Sequence, residues 1–297
     1  MVVLLVSNYE KILSGNSRSN LLPTLAPIKQ NSSMQNHEID YQIYGEELQF
    51  VEITLDPNET AIAESGSFMM MESGIEMQTI FGDGSQRKGT GLLGSLLSAG
   101  KRLLTGESLF MTAYSNIGQG RKKVSFAAPY TGKIIVFDLQ ALGGTIIAQK
   151  DAFLCAAKGV SIGIAFQRRL GTGIFGGEGF IMQKIEGDGL AFAHAGGYIV
   201  KKELMAGETI QVDTGCVVAY TANVDFDIRM VRGIKNFMFG GEGLFLAALT
   251  GPGTVWLQSL PISRLAGKIF QYAPQTGSRK EEGSLLGGLG NLLDGRE

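Results

Sequence analysis

From Tyr41 onward the chain alternates apolar and polar residues over short runs, each ended by Gly, Asp, Asn or Pro. Gln49-Phe50-Val51-Glu52-Ile53-Thr54-Leu55, Lys133-Ile134-Ile135-Val136-Phe137-Asp138-Leu139 and Thr254-Val255-Trp256-Leu257-Gln258-Ser259-Leu260 are such runs. Side chains two apart share one side of an extended backbone, so the pattern predicts half-buried strands. Gly187-Asp188-Gly189 and Gly251-Pro252-Gly253 each divide two apolar runs and predict hairpins. The exception to this rhythm is Gly91 to Leu104, where leucines at 92, 93, 96, 97, 103 and 104 form a helical stripe with Lys101 and Arg102 near its end. Gly283 to Gly295 has a similar flavour, with Leu285, Leu286, Leu289, Leu292 and Leu293 among glycines. Glycine costs a helix about 1 kcal/mol per residue against alanine, so either segment needs a surface to lie on.

The strand pattern repeats. Phe175-Gly176-Gly177-Glu178-Gly179 recurs as Phe239-Gly240-Gly241-Glu242-Gly243, and the upstream anchor Gly144-Thr145-Ile146 recurs as Glu208-Thr209-Ile210. Thr145 to Thr209 and Glu178 to Glu242 are the same 64 residues apart. A fainter first copy carries Glu59-Thr60-Ala61-Ile62 and Gly106-Glu107-Ser108-Leu109-Phe110, with 14 extra residues between its anchors. The expected organisation is a leader or spurious start over 1–34, a first repeat over 35–129 with its insertion near 85–104, repeats over 130–195 and 196–265, and a flexible Gly/Leu tail over 266–297. The expected fold is all-β: three tandem β-sandwich-like repeats arranged as a pseudo-threefold, with a short helical Gly/Leu insertion in the first.

Composition narrows the function classes. Over 297 residues, apolar types make up 44% and charged types 18%, enough for a substantial core. A net charge of −2 gives no global attraction to nucleic acid or acidic membranes, so anion binding would need a local patch. The 42 glycines are accounted for by turns and bulges of an all-β protein. Cys155 and Cys216 lie in apolar, strand-like runs and read as buried free thiols. Apolar runs fall short of the roughly 18 residues a membrane span needs, and Met1 to Val6 is too short for a secretory core. A cytoplasmic location, peripheral to a membrane, is the expectation, or mitochondrial in a eukaryotic source.

Glu107, Glu178 and Glu242 occupy matching places and would converge around a threefold axis as a carboxylate ring; the competing account has each accepting backbone N–H bonds at a glycine-rich bend. Lys101, Arg102, Arg168, Arg169, Arg232 and Lys235 precede these loops and are the candidate anion-binding set, against solvated loop charge. Gly89-Thr90-Gly91-Leu92-Leu93-Gly94 and Gly171-Thr172-Gly173-Ile174-Phe175-Gly176 fit G-x-G-x-x-G, but neither opens a βαβ unit, which excludes the nucleotide reading. His194 is the counterpart of Gln258 and reads as a polar strand position rather than a general base. No Cys/His cluster has metal spacing, so no cofactor or metal is expected.

Gly106-Glu107-Ser108-Leu109-Phe110-Met111-Thr112, Gly176-Gly177-Glu178-Gly179-Phe180 and Gly240-Gly241-Glu242-Gly243-Leu244-Phe245 resemble the altered inheritance of mitochondria protein 24 family, as do Gln149-Lys150-Asp151-Ala152-Phe153-Leu154 and Asp213-Thr214-Gly215-Cys216. The resemblance runs from about Tyr41 to Leu265. It implies a fold similar to the β-sandwich of the tryptophan RNA-binding attenuation protein, repeated within one chain, and association with membrane organisation. It defines no catalytic or ligand residues. The resulting expectation is a non-enzymatic scaffold or binding protein. Its partners would be an anionic lipid surface or a membrane-associated protein, with homo-oligomer formation in view. The alternative is small-ligand or nucleic-acid binding on the pseudo-threefold face.

Overall fold

The computed structural model describes residues 37–64, 66–81, 110–168, 179–231 and 244–272, which all belong to the compact unit Met34–Glu297. The strands expected from alternation are present. In chain order they begin with β1 (Asp40–Tyr44), β2 (Phe50–Leu55), β3 (Thr60–Glu64), β4 (Phe68–Met71), β5 (Ile75–Phe81), β6 (Phe110–Asn116) and β7 (Lys122–Ala127). Then come β8 (Gly132–Asp138), β9 (Thr145–Gln149), β10 (Phe153–Ala157), β11 (Ser161–Arg168), β12 (Phe180–Glu186) and β13 (Leu190–Gly196). The last are β14 (Ile199–Leu204), β15 (Thr209–Asp213), β16 (Val217–Thr221), β17 (Asp225–Val231), β18 (Leu244–Thr250) and β19 (Gly253–Gln258). Among the described residues, an α-helix, α1 (Ile262–Tyr272), follows them. It runs across residue 265, where the sequence places the border between the third copy and the tail.

Among the described residues four antiparallel sheets result: β1-β2-β7-β4, β5-β6-β3-β10-β13-β8, β11-β12-β9-β16-β19-β14 and β15-β18-β17. The two six-stranded sheets share one strand order, displaced by six strands along the chain. The two glycine turns expected to close hairpins instead carry the chain from one sheet to the next: β12 lies in the third sheet and β13 in the second, β18 in the fourth and β19 in the third. Both edges of each strand are already taken, β12 by β11 and β9 and β13 by β10 and β8, so the strands on either side of the turn cannot pair.

Burial follows the alternation. On β2, Val51, Ile53 and Leu55 are fully buried while Glu52, between them, reaches Lys123 on the outer side. Three apolar clusters lie between successive sheets. Val51, Ile53 and Phe126 of the first sheet meet Ala61, Ala63 and Phe192 of the second. Ile62, Phe137 and Ala193 of the second meet Ile146, Ile185 and Trp256 of the third. Phe180, Val217 and Tyr220 of the third meet Ile228, Ala247 and Leu249 of the fourth. β10 sits at the centre of a sheet covered on both faces, so all five of its residues are buried and three are Ala or Cys. Its register slips between Phe153 and Cys155, a bulge that turns Leu154 and Cys155 toward the same cluster.

Asn116 anchors the turn after β6. Its Nδ2 donates to the Leu55 carbonyl at 2.9 Å and to the Gly120 carbonyl at 2.8 Å, and its Oδ1 accepts from the Gly118 N–H. The residue is fully buried. Asn116→Ala strands these groups, at about 1–3 kcal/mol for an unsatisfied buried partner. The expected loss is therefore about 2–4 kcal/mol, read by urea denaturation with an unchanged m-value; a loss under about 1 kcal/mol would refute the anchoring role.

The cysteines differ in place. Cys155 is a free, fully buried thiol on β10. Cys216 is not in a strand: it closes a 3-10 turn, Thr214–Cys216, and is half-buried with the Arg264 guanidinium 3.6 Å from its Sγ. Its run of apolar neighbours is real, but Gly215 and the capping Asp213 carboxylate bend the chain before β16 begins.

Candidate functional site

The sequence-derived candidates fall mostly outside the described residues: Glu107, Glu178, Glu242, Lys101, Arg102, Arg169, Arg232 and Lys235, with the leucine stripe and the Gly/Leu tail. Arg168 ends β11, where its backbone pairs opposite Phe180. Two other features stand out among the described residues, one polar and buried, the other apolar and exposed.

The polar feature lies where β3 meets β10. Glu64 ends β3, and Asp151 sits in the 3-10 turn Lys150–Ala152 that feeds β10. Burial pushes the Glu64 carboxyl up to about 7, the Asp151 carboxylate adds to the rise, and Lys150 opposes it. Tyr130, between β7 and β8, is pushed up to about 12 by burial and by the same Asp151 charge. Its ring meets His194 of β13 edge-on, with centroids 4.4 Å apart. His194 is 2% exposed, and burial lowers its pKa to about 4. Neither ring nitrogen makes a hydrogen bond of normal geometry, although the Tyr130 backbone lies near enough to favour the charged ring somewhat. His194 is therefore a neutral imidazole at neutral pH.

The comparison with Gln258 shows how unusual that is. His194 pairs with Ile134 and Gln258 with Ile199, the same register position in the two six-stranded sheets. Gln258 is satisfied: its Oε1 accepts from the Gly196 N–H at 2.8 Å and its Nε2 donates to the Gly215 carbonyl at 2.9 Å. The sequence offset correctly matched the two positions. What it missed was Glu64 and Tyr130, which nothing local marks as buried. This cluster can hold or release a proton near neutrality. Among the described residues, no group of three or more His, Cys, Asp or Glu gathers as a metal site.

The apolar feature has two parts. Phe68, Met69, Met70 and Met71 make up all of β4, and each is exposed. In α1, Ile262, Leu265, Ala266, Ile269 and Phe270 recur at helical spacing on one side, with Arg264 and Lys268 on the other. The first turn is tied down, Arg264 donating to the Ser259 carbonyl and pairing with Asp213. The last turns carry Ile269, Phe270 and Tyr272 into solvent, each more than half exposed. Pro261 directly before a run of this period is a helix-start signal that reading the sequence for strands passes over.

Stacked antiparallel sheets followed by an amphipathic helix define a β-rich protein with an exposed apolar strand. The model of the family described as mitochondrial biogenesis AIM24 matches residues 41–260, nearly all of the strand-bearing chain, and this protein belongs to that family. An uncharacterized protein of Streptococcus pyogenes serotype M6 is 30% identical over 227 residues, covering 75% of this chain and 86% of its own. A crystal structure of a Streptococcus pyogenes protein matches with a TM-score of 0.60 at 24% identity, over 80% of this chain and 100% of its own, a likeness of fold. Among the described residues no helix is long and apolar enough to cross a membrane.

Proposed function

We propose that this protein is a non-enzymatic scaffold that attaches to an anionic membrane surface through α1. The observation that carries the reading is the exposed face of Ile269, Phe270 and Tyr272 beside a basic side containing Arg264 and Lys268. A helix of this kind lies in the plane of an interface, its apolar side among acyl chains and its basic side toward headgroups. The scaffold behind it reads as three modules of six strands, beginning at β2, β8 and β14, around a pseudo-threefold. The shared strand order of the two large sheets supports this. So does a register slip at the matching place in β4, β10 and β16. The likeness to the attenuation-protein sandwich belongs to the same reading.

The test is co-sedimentation of the full chain with neutral and anionic vesicles at low and high salt. Binding to anionic vesicles, weakened by salt, is expected. Ile269→Asp/Phe270→Asp should reduce it at least tenfold, since each buried apolar side chain is worth about 1.5–3 kcal/mol. Unchanged binding by this variant, or none by the parent, would sink the proposal.

A further inference from the structure

β4, β10 and β16 are counterparts: each slips register by one residue against its neighbour, between Phe68 and Met70, Phe153 and Cys155, and Val217 and Ala219. The other edge of β10 takes β3, with Cys155 opposite Ala63 and Ala156 opposite Ile62. The other edge of β16 takes β9, with Ala219 opposite Ala148 and Tyr220 opposite Ile147. These two junctions join the halves of the six-stranded sheets. By the same rule β4 should take β15, the remaining counterpart of β3 and β9. Among the described residues of one chain it does not: there β4 pairs only with β7, and β15 only with β18. The consequence shows in exposure. Met70 is 46% exposed, whereas Cys155 and Ala219, in the matching positions, are fully buried.

An unpaired strand edge is normally blunted by charge, proline or a covering element. Phe68-Met69-Met70-Met71 has no charge and no proline, so nothing in it repels an incoming strand, and methionine adapts to varied partners. We propose that a second copy of this chain supplies the missing strand, its β15 adding antiparallel to β4 so that Val212 stands opposite Met70 and Gln211 opposite Met71. This rests on the reading of three like modules, which sets the register. Two complementary edges on one chain that leave each other unpaired are satisfied by exchange between two copies. A symmetric pair forms two such junctions at once and leaves no free edge of this type.

The experiment uses the full chain carrying Cys216→Ala, so that the remaining native thiol is the fully buried Cys155. Met70→Cys and Val212→Cys are added singly and together, and each preparation is oxidised and run on a non-reducing gel. A covalent two-chain species is expected when the two single variants are mixed, and not from either alone. The unmodified chain should show twice its 31.8 kDa mass by light scattering. Met69→Lys/Met71→Lys, at exposed positions, should return it to one-chain mass with an unchanged far-UV spectrum. A disulfide formed only inside the double variant, at one-chain mass, would overturn the second copy while upholding the module register. No disulfide in any preparation would overturn both.

Discussion

Replacing His194 by glutamine, the residue at the matching position of β19, should make the protein less sensitive to acid, and replacing Glu64 by glutamine should make it more so. His194 titrates near 4 in the folded protein against an ordinary 6.5. The unfolded chain thus takes up a proton that the folded one refuses, and stability falls as pH drops through that window, by about 3 kcal/mol in all. Glu64 works the other way. Its folded pKa of about 7 lies above the ordinary 4.5, so the folded state keeps a proton the unfolded chain loses. That contribution is whole below about pH 4.5 and is lost as pH rises to about 7; partial exposure of Glu64 brings it to about 2 kcal/mol.

In the parent the two slopes oppose each other between about pH 4.5 and 6.5. Urea denaturation across pH 4 to 7.5 separates them. The stability difference, Glu64→Gln minus parent, should grow as pH rises from 4.5 to 7. The difference for His194→Gln should shrink as pH rises from 4 to 6.5. Flat differences for both variants would mean that burial does not hold these groups in the states assigned here.

The second large effect is steric. At Gly196 an added Cβ would lie 2.0 Å from the Leu260 carbonyl oxygen and 2.6 Å from Cε2 of Tyr130. The two segments are held that close by hydrogen bonds on both sides, Leu260 N–H to the Gly196 carbonyl and Gly196 N–H to Gln258. A flexible side chain could move aside; a backbone carbonyl held in this way cannot. Gly196→Ala should cost about 3 kcal/mol or more, beyond ordinary overpacking. Gly163→Ala is the control, since a Cβ there meets nothing within 4 Å and the change should stay within about 0.5 kcal/mol. Equal thermal midpoints for the two variants would show that the close approach is not required.

The strands and the turns between them were legible because their signal is local. The pairing across the Gly187-Asp188-Gly189 and Gly251-Pro252-Gly253 turns was not, since the flanking strands go to different sheets. A residue's side of an extended backbone is set by its parity, so Val51, Ile53 and Leu55 declare one face wherever the strand ends up. The match of His194 to Gln258 was legible for the same reason, because a constant offset preserves register. α1 was also written in the sequence, in Pro261 and the spacing of Ile262, Leu265, Ala266, Ile269 and Phe270, but a reading tuned to period two missed it. Tertiary structure alone decided the rest. Glu64 becomes a proton-holding group because packing buries it at the end of β3 beside β10, with the Asp151 charge adding to the rise. Phe68-Met69-Met70-Met71 reads like any core strand, yet all four side chains are exposed, and among the described residues no strand pairs with the second edge of β4. Alternation fixes which way a side chain points, whereas burial and charge depend on what other segments arrive in front of it, and that is set by contacts between residues far apart in the chain.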